Sequence, residues 1–276
     1  MLPSYLLSLR EGLEAALIIG IVLGALRKTR REEFTSTVWL GVISASLISI
    51  VTAILLTAFG YSLEEKAEMI FEGITMLLAA GVLTWMIFWM NRQSQNIKSE
   101  LEEDIRRATS AGTGRRAVFF VAFLAVLREG VELALFLTAA AFASDSFQTT
   151  LGAILGLGTS ALLGWTLFAS TVRLDLRRFF QVTGVLLILF AAGLVAHGIH
   201  EFNEVGWIPA IVEHVWDVNA IVDESSTLGG LLKALFGYNG NPSLTEMIGY
   251  AAYFIMIGIG LRASKQKPRQ AVEAQV

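Results

Sequence analysis

The chain has 276 residues, of which 54% are hydrophobic and only 16% are charged, and its formal net charge is -3. Soluble domains usually carry about 25% charged residues, so this composition indicates a chain whose solvent is mostly lipid. The sequence has no cysteine, which excludes disulfides, thiolate zinc sites and iron–sulfur clusters. Acidic residues outnumber basic residues, so the chain lacks the excess of positive charge that is typical of nucleic-acid-binding proteins. The composition therefore predicts an all-α integral membrane protein.

Seven apolar stretches are long enough to cross a bilayer, since about 20 helical residues span the hydrocarbon core. They lie at residues 4–26, 38–60, 69–90, 117–142, 150–171, 179–199 and 245–262. The first stretch contains charged residues within its apolar run and lacks a basic start, so we predict a retained helix and not a signal peptide.

The basic residues predict the orientation of these spans. Most of the 21 lysines and arginines lie in the loops at 27–33, 91–116 and 173–178 and in the C-terminal tail. Because cytoplasmic loops carry the excess of Lys and Arg, we predict an external N-terminus and a cytoplasmic C-terminus in the cell membrane.

The two halves of the chain resemble each other. The sequence REGLE at 10–14 returns as REGVE at 128–132, Leu40-Gly41 returns as Leu151-Gly152, and Ala79-Ala80-Gly81 returns as Ala191-Ala192-Gly193. Because three spans separate the copies, the halves have opposite orientations, which predicts the inverted 3+3 repeat of many transporters. Stripes of small residues on spans two and five are typical of close helix packing.

This organisation predicts five parts. They are a first three-helix repeat (1–92), a cytoplasmic connector (93–116), a second, inverted three-helix repeat (117–200), an external loop with an interfacial helix (201–244), and a seventh helix with a basic cytoplasmic tail (245–276). The external loop mixes acidic with large apolar residues, which favours a helix lying on the membrane or a lid. His214 in this loop is more typical of an ordinary interfacial histidine than of a ligand.

Six charged residues lie inside spans one and four, where a charge costs about 2.5–3.5 kcal/mol. They are Arg10, Glu11, Glu14, Arg128, Glu129 and Glu132. At 1.5 Å per residue, the last glutamate of each motif lies about 15–22 Å into its span, near the middle of the bilayer. Each arginine can pair with the glutamate four residues later, and two carboxylates then remain without a cationic partner. We predict that the four glutamates bind a hard cation, supported by the two arginines; purely structural ion pairs are the alternative.

A second polar set is predicted at the outer face, where span three begins and span six ends. It comprises Glu68, Glu72, His197, His200 and Glu201. Acidic and imidazole groups at a helix end can concentrate cations by electrostatic focusing, so we predict an outer vestibule. An ordinary solvated helix end is the alternative.

The two R-E-G-x-E motifs, the seven spans, and the segments HGIHE at 197–201 and FGYNGNP at 236–242 together resemble the oxidase-dependent iron permeases. This family includes the fungal high-affinity iron permease and the bacterial EfeU-type permease. The resemblance implies a transporter, not an enzyme, with no cofactor, iron as its substrate and the motif glutamates as iron ligands. It also implies Fe3+ delivered by a separate external oxidase, peroxidase or iron-donor protein.

Two other functions stay open at this point. The first is a carrier for another divalent metal, such as lead or manganese, or a proton-coupled carrier that uses the same carboxylates as proton relays. The second is an intramembrane metal-dependent enzyme or a signalling protein, although no H-E-x-x-H, paired aspartates or serine–histidine arrangement supplies a general base beside an open metal site. The sequence indicates no oligomeric state.

Overall fold

A computed structural model describes residues 1–93, 114–169, 176–224 and 226–273, and within them the chain is helical, with no strand. Within these ranges there are eight α-helices: α1 (Leu2–Lys28), α2 (Thr35–Tyr61), α3 (Glu65–Gln93), α4 (Gly114–Ala143), α5 (Ser146–Ala169), α6 (Leu176–Glu204), α7 (Thr227–Phe236) and α8 (Leu244–Glu273). A single 3₁₀ turn, Glu32–Phe34, precedes α2. Most of the predicted connector, 94–113, lies outside the described residues.

Five of these helices are long and apolar enough to cross a membrane, namely α2, α3, α5, α6 and α8. The other two long helices, α1 and α4, have 27 and 30 residues and are those that carry the charged motifs. Each predicted span coincides with one long helix, as far as the described residues extend. A helical membrane protein is therefore confirmed, while the count of seven spans and their orientation stay predictions.

The outward faces of the long helices are apolar. On α2, Ile43, Leu47 and Ile54 are each more than half exposed. Exposing large aliphatic side chains to water is unfavourable. Lipid tails are as apolar as these side chains and solvate them well. Exposure along α2 thus identifies a lipid-facing surface.

The described helices pack in three close pairs. In two of them α1 packs against α5 and α2 against α4, and the motif helices α1 and α4 also contact each other. Where α1 meets α5, the α-carbon of Gly12 lies against Ser160. Where α4 meets α2, Gly130 lies in the same way against Ser49. Both serines belong to the small-residue stripes of the sequence, and their small size lets the helix backbones approach closely.

The third pair, α3 with α6, crosses at two glycines. A side chain added at Gly73 would meet the carbonyl oxygen of Gly198, and one added at Gly198 would meet that of Gly73, each at 3.1 Å. Leu83 and Leu187 are fully buried in the core that joins this pair to α1, α4 and α8.

The segment predicted as an external loop contains a helix near its C-terminal end. Residues 205–224 are irregular, and α7 follows them as a short helix. Ser226 caps its start by accepting a hydrogen bond from the Gly229 amide, and Gly237 ends it in the left-handed conformation (φ 66°). Gly237 packs directly on Gly193 of α6, so α7 is held against the end of that helix.

Candidate metal site

The two sequence motifs form the same local pair on their two helices. Arg10 Nε donates to Glu14 Oε1 at 3.1 Å on α1, and Arg128 Nε donates to Glu132 Oε1 at 3.0 Å on α4. A spacing of four residues places both members of each pair on one helix face. The pairing is therefore a property of each motif, repeated where the two helices meet.

Between the two motif helices, three carboxylates converge. Glu11, Glu14 and Glu129 each offer an oxygen, and these three oxygens lie within 4.8 Å of one another. Glu11 is 1% exposed and Glu129 is 6% exposed. Among the described residues no other group of three potential ligand side chains meets this distance, and Glu132 lies outside it.

Several of the motif carboxylate oxygens are buried without a hydrogen bond. Both oxygens of Glu11, Oε2 of Glu129 and Oε2 of Glu132 are buried and receive no hydrogen bond from the described part of the chain. Buried polar atoms are normally hydrogen-bonded, and an unpaired carboxylate is especially costly. Such oxygens are the kind of group that a cation stabilises.

The glycine inside each motif lets its helix pack closely against a neighbouring helix. Both α1 and α4 continue as uninterrupted helices through Gly12 and Gly130. These glycines therefore permit close helix approach, and neither helix is unwound at them. The close contacts of Gly12 with α5 and Gly130 with α2 hold each motif face in a fixed position.

The two arginines have different surroundings. The Arg10 side chain is 2% exposed, whereas that of Arg128 is 39% exposed. The Arg128 guanidinium lies 4.4 Å from the ring centroid of Trp89, at cation–π distance. Sequence analysis predicted neither this contact nor the difference in exposure.

The residues of the predicted outer vestibule have two sets of neighbours. Glu68 and Glu201 both act electrostatically on Glu72, which places these three carboxylates near one another at the ends of α3 and α6. His197 and His200 instead line a cavity beneath α7 and the start of α8. His200 Nδ1 lies 3.1 Å from Glu246 Oε1, and His197 Nδ1 lies 2.9 Å from the Gly193 carbonyl oxygen.

Glu246 was missed by the sequence analysis, although a signal for it exists. The Glu246 amide donates to Ser243 Oγ, and the Ser243 amide donates to Glu246 Oε1, both at 3.2 Å. This is a capping box, which the sequence S-x-x-E before an apolar run predicts. The same carboxylate is 4% exposed and also accepts a hydrogen bond from Asn239, so it is a buried anion beside the histidines.

Comparison with known proteins agrees with the motifs. Residues 1–270 match the family described as the iron permease FTR1 family. The chain is 35% identical over 275 residues to proteins named ferrous iron permease EfeU from Shigella sonnei and Escherichia coli O157:H7, covering 99% of each chain. It is 34% identical over 256 residues to the protein of that name from Yersinia pestis, covering 92% of this chain and 91% of the relative. No solved structure matches. These matches confirm the resemblance inferred from the two motifs.

Proposed function

The chain belongs to the iron permease FTR1 family, and from that premise we propose that it carries iron across the cell membrane through the carboxylates between α1 and α4. Its relatives are named permeases and five of its helices are long and apolar enough to cross a membrane, which supports a multi-pass membrane transporter. Iron is its transported substrate, and no cofactor enters the proposal.

One observation carries this proposal. Three glutamate oxygens from two different helices lie within 4.8 Å of one another in a buried place. Oxygen ligands without sulfur suit hard or borderline cations, and iron is among the ions that carboxylates bind. Glu11, Glu14 and Glu129 are thus the proposed ligands of the passing ion, and Glu132 is proposed to join when the two motif helices move.

We further propose that the two halves form an inverted repeat and expose the site alternately to the two sides of the membrane. Two matched contacts support this symmetry, since Gly12 meets Ser160 in the way that Gly130 meets Ser49. The matched arginine–glutamate pairs support it as well. In such transporters the substrate site lies near the midplane where the repeats meet. The external N-terminus is part of the same proposal.

The outer carboxylates Glu68, Glu72 and Glu201 are proposed to attract the ion before it reaches the buried site. The oxidation state and the donor are separate questions. Our sequence-based hypothesis is Fe3+ delivered by an external oxidase, whereas the relatives are named for ferrous iron. Both ions therefore belong in the test.

The test is uptake of radiolabelled iron into proteoliposomes that contain the purified chain, with ferrous iron under reductant and ferric citrate measured separately. Replacing Glu11→Gln and Glu129→Gln together keeps side-chain size but removes two anionic ligands. We expect uptake to fall at least 10-fold, while Glu33→Gln, on an exposed residue outside the site, keeps the wild-type rate. Uptake that is undiminished in correctly inserted Glu11→Gln/Glu129→Gln protein would contradict the proposed pathway.

Manganese shares the preference for carboxylate oxygen, so a second arm of the assay adds unlabelled manganese or lead as competitors. We expect a large excess of either ion to compete only weakly. If manganese or lead abolishes iron uptake at equimolar concentration, the chain is a broader divalent-metal carrier.

A further inference from the structure

The Arg128 guanidinium lies between a carboxylate and two indole rings. Its Nε donates to Glu132 Oε1 at 3.0 Å, and its Cζ lies 4.4 Å from the ring centroid of Trp89 and 5.9 Å from that of Trp85. The two indole rings are stacked, with their centroids 6.2 Å apart. A guanidinium within about 6 Å of an indole centroid is attracted by the negative face of the ring. Trp89, the nearer ring, therefore helps to hold the guanidinium in the place from which it binds Glu132.

Glu132 lies at the edge of the carboxylate group. It is the one motif glutamate outside the group of three converging oxygens, yet it acts electrostatically on Glu11, Glu14 and Glu129 and so lies near all of them. Its Oε1 accepts the hydrogen bond from Arg128, and its Oε2 is buried without a hydrogen bond from the described residues. A carboxylate in this place becomes available as a fourth ligand when Arg128 releases it.

The other motif shows that an arginine–glutamate pair does not by itself keep a glutamate out of the group. Arg10 Nε donates to Glu14 Oε1 at 3.1 Å, and Glu14 still belongs to the group. The two arginines differ in where they lie, since the Arg10 side chain is buried and that of Arg128 is partly exposed. The position of Arg128 is therefore what distinguishes the pair whose glutamate stays outside.

The contact between Arg128 and Trp89 lies towards one end of the two helices. Arg128 precedes Glu132 by one turn and is therefore nearer to Gly114, where α4 begins. Trp89 lies in the last two turns of α3. The predicted cytoplasmic connector joins the end of α3 to the start of α4. Arg128 and Trp89 consequently lie between Glu132 and the end of the molecule that we predict to be cytoplasmic.

We propose that Trp89 is a positioning residue for transport, because by holding Arg128 on Glu132 it keeps the fourth carboxylate out of the ligand group. A transport site must bind its ion strongly enough to capture it and weakly enough to release it. A fourth anionic ligand would bind the ion more tightly and slow its release. This inference rests on the proposed function, and it adds a residue outside the two motifs that sets how tightly the ion is held.

The first test is the kinetics of iron uptake into proteoliposomes, in the ionic form that the parent chain carries faster. Trp89→Leu removes the ring, so Glu132 joins the other ligands more readily. We expect KM to fall about 2- to 30-fold, the range that a cation–π contact covers, and the maximal rate per inserted chain to fall with it. Trp89→Phe keeps an aromatic face and is expected to lie between the parent and Trp89→Leu. A merely structural role would lower the maximal rate and leave KM unchanged.

Two further variants make the assignment specific. Trp165→Leu removes an indole ring that is 68% exposed on α5, and this matched control is expected to keep the KM of the parent. In a Glu132→Gln background no anionic fourth ligand is left to join, so Trp89→Leu is expected to lose its effect on KM, which a double-mutant cycle measures.

The second test needs no transport. Calorimetry of iron binding to the purified full chain in detergent is expected to give a dissociation constant that Trp89→Leu lowers about 2- to 30-fold. A dissociation constant that Trp89→Leu leaves unchanged or raises would overturn the inference, whether or not the parent carries iron. A parent chain that binds iron without carrying it would instead overturn the proposed function alone.

Discussion

The glycine inside each R-E-G-x-E motif offers a direct test of how the site is assembled. An alanine at Gly12 would place its Cβ 2.8 Å from the Cβ of Ser160 and 3.3 Å from Cδ2 of Leu157. The Ser160 hydroxyl can rotate away, but its Cβ is attached to the backbone of α5. Relief of the overlap therefore requires α1 and α5 to move apart.

The size of the effect follows from these distances. Ordinary contact begins at 3.4 Å, so the helices must separate by about 0.6 Å, the difference between 3.4 and 2.8 Å. Overpacking of this kind costs about 1–3 kcal/mol. Replacing glycine by alanine in a helix also stabilises the helix by about 1 kcal/mol. A control substitution of a glycine without close neighbours measures that gain separately. Gly24 is the control, because it is on the same helix and has nothing within 4 Å of an added Cβ.

The assay is the free energy of unfolding in mixed micelles for Gly12→Ala and Gly24→Ala. We expect Gly12→Ala to be less stable than Gly24→Ala by about 1–3 kcal/mol, and iron uptake to fall with it as the motif face moves. In a Ser160→Gly background, which removes the obstructing Cβ, the extra cost of Gly12→Ala is expected to disappear, a coupling that a double-mutant cycle measures directly. Equal stability of the two alanine variants, or a cost of Gly12→Ala that is unchanged by Ser160→Gly, would refute the packing described here.

Three further substitutions each remove one contact. The first two are tested by the free energy of unfolding, and the third is tested by hydrogen exchange in one helix. Trp89→Leu removes the ring beneath the Arg128 guanidinium and is expected to cost about 0.5–2 kcal/mol; no loss of stability would show that the contact contributes nothing. Tyr253→Phe removes the hydroxyl that lies 2.8 Å from Thr84 Oγ1 and is expected to cost about 1 kcal/mol, with a neutral result contradicting the bond. Ser226→Ala removes the N-cap of α7 and is expected to cost about 0.5–2 kcal/mol, seen as faster hydrogen exchange in that helix alone, and unchanged exchange would argue against the cap.

The parts of the site that depend on one helix were predictable, and the parts that depend on helix packing were not. The Arg10–Glu14 pair follows from a spacing of four residues, because that spacing fixes neighbours on any α-helix. The group formed by Glu11, Glu14 and Glu129 depends on how α1 is rotated and placed against α4. In the two motifs, Glu129 corresponds to Glu11 and Glu132 corresponds to Glu14. Only the helix packing determines that Glu129 belongs to the group and Glu132 does not.

The outer residues illustrate the same limit. His200 and Glu201 are neighbours in sequence, so they point about 100° apart around the helix and meet different partners. Glu201 lies near His200 and also near Glu68 of α3, and His200 in addition pairs with Glu246. The sequence analysis placed both residues in one predicted vestibule, and a search for capping boxes would have added Glu246 as a buried carboxylate at the start of a helix.

The hydrogen bonds at the buried carboxylates bear on the charge of the ion that they receive. Glu14 and Glu132 each accept a hydrogen bond from the arginine of their own motif, so one carboxylate in each motif has a cationic partner. Both oxygens of Glu11 and one of Glu129 receive no hydrogen bond from the described residues. In their ionised forms, two arginines against four glutamates leave a formal charge of -2. A divalent ion neutralises that charge, whereas a trivalent ion leaves one positive charge in surroundings where an unbalanced ion costs several kcal/mol. If the proposed site binds iron with all four glutamates ionised, charge balance is closer for the divalent ion, so the ferrous arm of the uptake assay is the one in which we expect the faster transport.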